Sequence, residues 1–102
     1  MSGYSTYPQA EIKIADLEDF QGNNWRGTTD KTDVYFGKLE GQALADFRDA
    51  WSAGTLTYVV MSYSTPIAWV LEDGTKVVPQ EHYSQTTTRQ QKAVRRAWNM
   101  EV

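Results

Sequence analysis

The sequence predicts an α+β fold: a mainly antiparallel sheet of about five strands, in the order β-β-α-β-β-β-α, packed through its apolar face against two helices. Three observations carry that expectation. Short runs alternate charged or polar residues with β-branched and aromatic ones at a period of two. An Asp73-Gly74 pair separates two such runs. Two longer segments repeat their apolar residues at spacings of three and four.

Residues 1–10 are polar, with tyrosines and Pro8, and read as a loose arm ahead of one domain over 11–102. Glu11–Ala15 alternates Ile12 and Ile14 with Glu11 and Lys13, the pattern of a half-buried strand. Gln21–Asp30 holds two glycines and two adjacent asparagines and is expected to be the longest loop. Thr32–Lys38 follows as a second strand, with Val34 and Phe36 inward and Asp33 and Tyr35 outward. Gly41–Ala53 is a helix on the spacing of Leu44, Phe47 and Trp51, stopped by Gly54.

Thr57–Tyr63 is rich in β-branched and aromatic residues, and Pro66 places a bend after it. Ile67–Glu72 and Thr75–Val78 then form a hairpin around Asp73-Gly74, a dipeptide suited to a type I′ turn. A last helix runs from about Thr87 to Met100. It opens on a Thr87/Gln90 capping box, with Ala93, Val94, Ala97 and Trp98 on one side and Arg89, Lys92, Arg95 and Arg96 on the other.

Composition narrows the functional classes. A chain of 102 residues with 40% apolar and 23% charged side chains has room for one folded core. The absence of cysteine excludes disulfides, thiolate catalysis and sulfur-ligated zinc. With His82 the only histidine and no calcium-loop spacing, neither a metal site nor a cofactor is expected. The longest apolar stretches, Tyr58–Met61 and Ile67–Leu71, are too short to cross a bilayer, and residues 1–9 show no secretory pattern, so no membrane partner and a cytoplasmic location are expected. The net charge of -3 opposes a protein whose whole surface holds nucleic acid, although Arg89, Lys92, Arg95 and Arg96 lie in a stretch without acids.

Three segments stand out together: Gly22-Asn23-Asn24-Trp25-Arg26-Gly27, Tyr63-Ser64-Thr65-Pro66-Ile67-Ala68-Trp69, and Tyr83-Ser84-Gln85-Thr86-Thr87-Thr88-Arg89-Gln90. In order and spacing they resemble a small domain of unknown function found in many bacteriophage proteins, notably in phages of actinobacteria. That resemblance covers roughly residues 20–98. It implies a phage origin, a shared fold and the cytoplasm of the infected bacterial host as the place of action, and it brings no activity. Asn24 replaces the serine of the resembled pattern and Gln90 its frequent histidine, so no imidazole is available there.

The residues themselves support competing readings. Thr86, Thr87 and Thr88 either cap the last helix or, with Arg89 and with Arg26 across from it, offer a phosphate a helix N-terminus. The cations Arg89, Lys92 and Arg96 are either an ordinary solvated face or a track for nucleic-acid phosphates. Trp25, flanked by Asn23, Asn24 and Arg26, is either a loop anchor or an exposed binding hot spot. Catalysis finds little support: His82 has Glu81 beside it, but neighbours on an extended segment face opposite ways. The expected function is therefore non-enzymatic binding, to a host protein or to itself, with aromatic residues such as Trp25, Tyr35 and Tyr63 as interface anchors. The alternatives are a nucleic-acid or phosphate binder and a minor hydrolase or transferase centred on His82.

Overall fold

The computed structural model describes residues 6–30, 32, 34–80 and 84–100. Its elements are α1 (Tyr7–Ala15), β1 (Phe20–Gln21), β2 (Trp25–Thr28), α2 (Gly41–Ala53), β3 (Leu56–Ser62), β4 (Thr65–Leu71), β5 (Lys76–Val77) and α3 (Gln85–Ala97). The five strands form one antiparallel sheet in the order β1-β2-β3-β4-β5, so the α+β class predicted from the sequence is the class observed.

Nearly every residue of β3 and β4 is buried. Tyr58, Val60, Ile67, Ala68 and Val70 share a core with Ala10 and Ile14 of α1 and Ala93 and Val94 of α3. Leu56, Val59, Met61 and Trp69 share a second core with Phe47 and Ala50 of α2 and with Leu39. The helices therefore cover both faces of the sheet. The expectation of a single apolar face under two helices is corrected accordingly. The uninterrupted apolar runs of β3 and β4 follow from this, because a strand covered on both sides has no position to give to water.

The β3–β4 register holds a bulge. Val60 pairs with Ala68 and Met61 with Pro66, so Ile67 is the extra residue, and it joins Ala68 in the α1/α3 core. Pro66 stands inside β4, not at a bend after β3. It is tolerated beside this bulge, where β5, which pairs only with Trp69 and Val70, does not reach. The turn lies earlier, at Tyr63–Ser64.

Residues 11–15 are helical, which corrects the predicted first strand. Thr6 caps α1 through a reciprocal box with Gln9, and Pro8 sits in the first turn. Residues 7–10 therefore belong to α1 and Thr6 to its cap, not to an arm, while residues 1–5 lie outside the described residues. Helical spacing buries Ala10 and Ile14 together and leaves Ile12 63% exposed, which no strand with Ile12 and Ile14 on one face would do. The indole N–H of Trp98 donates to the Ile14 carbonyl at 3.0 Å and joins the end of α1 to the end of α3.

Other predicted elements shift for local reasons. The predicted loop 21–30 contains β2 and a tight turn at Asn23–Asn24. Gly27 lies within β2 because the Tyr58 hydroxyl and the Phe20 ring occupy the space a side chain would need. The predicted strand 32–38 is irregular. Val34 and Phe36 do turn to the α2-side core and Tyr35 to solvent, but the segment joins no ladder, and Asp33 lies outside the described residues. The predicted type I′ turn is a three-residue connection: Gly74 N–H donates to Leu71, Leu71 N–H donates to Thr75, and only Gly74 has positive φ. Hydrogen bonds from Thr75, side chain first and backbone second, hold the Asp73 carboxyl below its usual range. Helix α2 has the predicted bounds and ends on Gly54 at φ 73°. Helix α3 begins earlier than predicted, capped by Ser84, with Val94 and Trp98 buried.

Two outcomes follow. Ile14→Ala should cost roughly 2–5 kcal/mol in denaturant unfolding, while Ile12→Ala stays within about 0.5 kcal/mol; equal losses would restore the strand. Burial, with smaller contributions from Asp19 and Glu18, raises the Tyr58 phenol well above its usual value of 10.0, and its hydroxyl donates to the Glu18 carbonyl at 2.8 Å. The unfolded chain therefore loses this proton first, and stability should fall as pH rises above about 10, with a slope approaching about 1.4 kcal/mol per pH unit. Urea midpoints across that range should decline less steeply for Tyr58→Phe than for the wild type.

Candidate functional site

Segments far apart in the chain converge where β3 turns into β4. The Tyr63 N–H donates to the Asn24 carbonyl at 2.9 Å and ties this turn to the one between β1 and β2. The Lys38 N–H donates to Thr65 Oγ1 at 3.0 Å and draws in the segment before α2. Gly37 permits that approach: its φ is +55°, and a Cβ there would strike the Ser64 carbonyl and Thr65. From α3, Thr87 Oγ1 lies 3.3 Å from Ser62 Oγ and accepts from Ser84 Oγ at 3.1 Å, while the Thr87 N–H donates to Ser84 Oγ at 3.1 Å.

These contacts enclose a cavity of about 270 Å³ lined by Lys38, Ser62, Tyr63, Thr65, Ser84, Thr86 and Thr87. Six of the seven described lining residues carry hydroxyls, and Lys38 brings the one formal charge among them. The groups divide by role. Ser62, Thr65, Ser84 and Thr87 bond to one another or to backbone and form the wall. Thr86, Tyr63 and Lys38 are exposed at it, and the first turn of α3 adds backbone N–H groups that have no partner within the helix. Tyr63 holds φ at +56°, an uncommon conformation for a bulky residue, and keeps its ring 65% exposed. Among the described lining residues there is no carboxylate and no imidazole. The arrangement presents donors and positive charge, which suits an anion.

A family model matches residues 6–98, from the cap of α1 to Trp98, the last buried residue after α3. The chain belongs to the family of unknown function DUF8033. No curated protein and no solved structure matches it. Membership extends over the whole sheet and all three helices of this DUF8033 domain, and so includes every residue of the cavity.

The predicted candidates are distributed unevenly in the DUF8033 domain. Thr86 and Thr87 both line the cavity, Thr86 exposed and Thr87 buried in its wall. Asn23 and Asn24 form an exposed turn, with the Asn24 carbonyl supporting the site from behind. Trp25 is 3% exposed, packed between Tyr7 at 5.3 Å and Phe20 at 5.1 Å, which settles it as a core anchor and removes it as a hot spot. Arg26 follows Trp25 on the strand, so its side chain leaves from the α2 face and does not stand across from Arg89.

The four cations of α3 do not act as one face. Arg96 donates to Glu11 at 3.3 and 3.2 Å, and this partner holds its guanidinium above the usual range. Arg95 reaches the Pro79 carbonyl at 3.5 Å. Arg89 and Lys92 are exposed. His82 and Glu81 lie outside the described residues. Among the described residues no three His, Cys, Asp or Glu side chains gather as a metal site, and no helix is long and apolar enough to cross a membrane.

Tyr63 was expected only as an aromatic interface anchor, and four other lining residues were not among the sequence candidates. Ser62, Thr65 and Ser84 stood in or beside the segments that carried the resemblance, but Ser62 was read as the end of a strand, Thr65 as part of the bend at Pro66, and Ser84 was given no role. Lys38 gave no signal, because only the fold brings it to Thr65. Gln90 is fully buried with neither carboxamide atom hydrogen-bonded, and nothing in the structure explains it.

Proposed function

We propose that this DUF8033 domain is a phage accessory protein that acts by binding in the cytoplasm of the infected bacterium, and that its ligand presents a phosphate or similar anion to the start of α3. The observation that carries the reading is the convergence of Lys38, Thr86 and Tyr63 on one hydroxyl-walled cavity, with no carboxylate among its described lining residues. A negative ligand there meets one full positive charge, the positive end of α3 and uncommitted hydroxyls, and no like charge from the described lining side chains.

Size limits the ligand. At about 270 Å³ the cavity lies just below the range of roughly 300–1,000 Å³ that holds a drug-sized molecule. It suits a phosphate and the few atoms attached to it. A track along duplex nucleic acid is the weaker reading, because Arg96 and Arg95 are engaged within the fold. Binding is favoured over catalysis because no described lining residue offers a hydroxyl the neighbouring carboxylate or imidazole that activates a nucleophile.

Titration with inorganic phosphate at low ionic strength tests this by amide NMR. The expected result is a saturable shift at Lys38, Gln85, Thr86 and Thr87, weakened about tenfold by Lys38→Ala, the loss typical of one charge-assisted hydrogen bond. Unmoved amides at tens of millimolar phosphate, or a response that Lys38→Ala leaves intact, would contradict the proposal.

A further inference from the structure

Among the described residues no strand pairs with the outer edge of β5, and this edge carries a second feature, independent of that cavity. Strand β5 ends the strand order. The Leu71 N–H donates to the Thr75 carbonyl at 2.9 Å while the Leu71 carbonyl accepts from Gly74, so Thr75 turns its carbonyl toward β4 and the next residue, Lys76, paired with Val70, has the alternate orientation. The N–H and C=O of Lys76 therefore point away from β4, off the sheet. They are a place where another strand can add.

On the α2 side of this edge runs a groove. Two adjoining cavities, of about 370 and 200 Å³, share Asp46, Trp69 and Val77. Trp69, Leu71, Val77 and Ala50 give it an apolar floor. Asp46 and Asp49 form its rim, both exposed and one helical turn apart on α2. Asp46 accepts a hydrogen bond from Gln42 at 2.7 Å, and neither carboxylate is in an ion pair with a described residue.

We infer that this edge and groove receive an extended segment of a partner protein with Lys or Arg at alternate positions, added to β5 as a sixth strand. The backbone of the segment bonds to Lys76. Every second side chain then enters the groove, where it must cover Val77 and Leu71 and also end beside Asp46 or Asp49. A Lys or Arg does both, laying its methylene stem on the floor and its charge at the rim. An aliphatic side chain would satisfy only the floor, and an acidic one would meet like charge. The basic helix of a second copy fits poorly, because its exposed cations Arg89 and Lys92 come with no apolar side chain on that face for the floor.

The test uses two blocked pentapeptides, Lys-Val-Lys-Val-Lys and Glu-Val-Glu-Val-Glu, titrated into the full chain and followed by amide NMR. The basic peptide should shift amides over 46–50 and 75–78 saturably and leave Thr86 unmoved. The Asp46→Asn, Asp49→Asn double variant should weaken it at least fivefold, and so should Lys76→Pro, which removes the outward donor; both should keep the wild-type melting curve. If Lys76→Pro fails to fold, the aspartate variant, altered only at exposed positions, still decides. Absence of local shifts at millimolar peptide, an equal response to the acidic peptide, or the same shifts on raising protein concentration without peptide would each overturn the inference, the last by assigning the groove to a second copy.

Discussion

The β3–β4 hairpin runs through the middle of the molecule with a core on each face, and the other elements take their places from that constraint. Val59 and Val60 are adjacent, yet one meets Phe47 and Trp69 while the other meets the α1/α3 layer. A two-stranded ribbon cannot hide both faces from water. Helix α3 closes one face with Ala93, Val94 and Trp98, α1 fills the remaining gap beside it, and α2 with the segment carrying Val34 and Phe36 closes the other. Each fully buried Val, Leu or Ile contributes roughly 1.5–3 kcal/mol. At the joint between α1 and α3, Ala10 and Ile14 share a core with Ala93, Val94 and Trp98, the Trp98 indole bonds to the Ile14 carbonyl, and the exposed Arg96–Glu11 pair adds little.

Both surface features arise where this covering stops. At one end of the hairpin the chain must turn, and the turn residues Ser62, Tyr63 and Thr65 have polar side chains that the start of α3 and Lys38 meet without closing the space completely. At the open side of β4, two residues of β5 are too few to fill the span beneath α2, and the groove remains. Neither site needed an element of its own. Both use groups the fold already holds rigid, which keeps the ordering cost of binding low.

The sequence conveyed the long periodic segments well and the short ones poorly, for reasons visible in single residues. Helix α2 was legible because Leu44, Phe47 and the Gly54 stop agree, and α3 because Ala93, Val94 and Trp98 share one side. The segment Glu11–Ala15 alternates over five residues, too few to separate period two from period 3.6; the deciding signal lay upstream, in the Thr6/Gln9 cap and Ala10. Strands β1 and β2 were hidden because they are short and the turn formers Gly22, Asn23 and Asn24 lie between them, with Gly27 inside β2, where the Tyr58 hydroxyl requires it. At Val34 and Phe36 the inward and outward assignment was right and the hydrogen-bonded partner absent, since side-chain alternation reports burial and not pairing. The candidate site was half legible: its threonines announced a helix start, but Lys38 arrives from a segment whose position only tertiary packing sets.

Covering on both faces is the claim on which the rest stands, and two neighbouring residues test it. Urea unfolding of Val59→Ala and of Val60→Ala should each show a loss of roughly 2 kcal/mol, because the side chains lie in opposite cores. A sheet with one wet face would lose stability at only one of them. A cost below about 0.5 kcal/mol at either position would contradict the account.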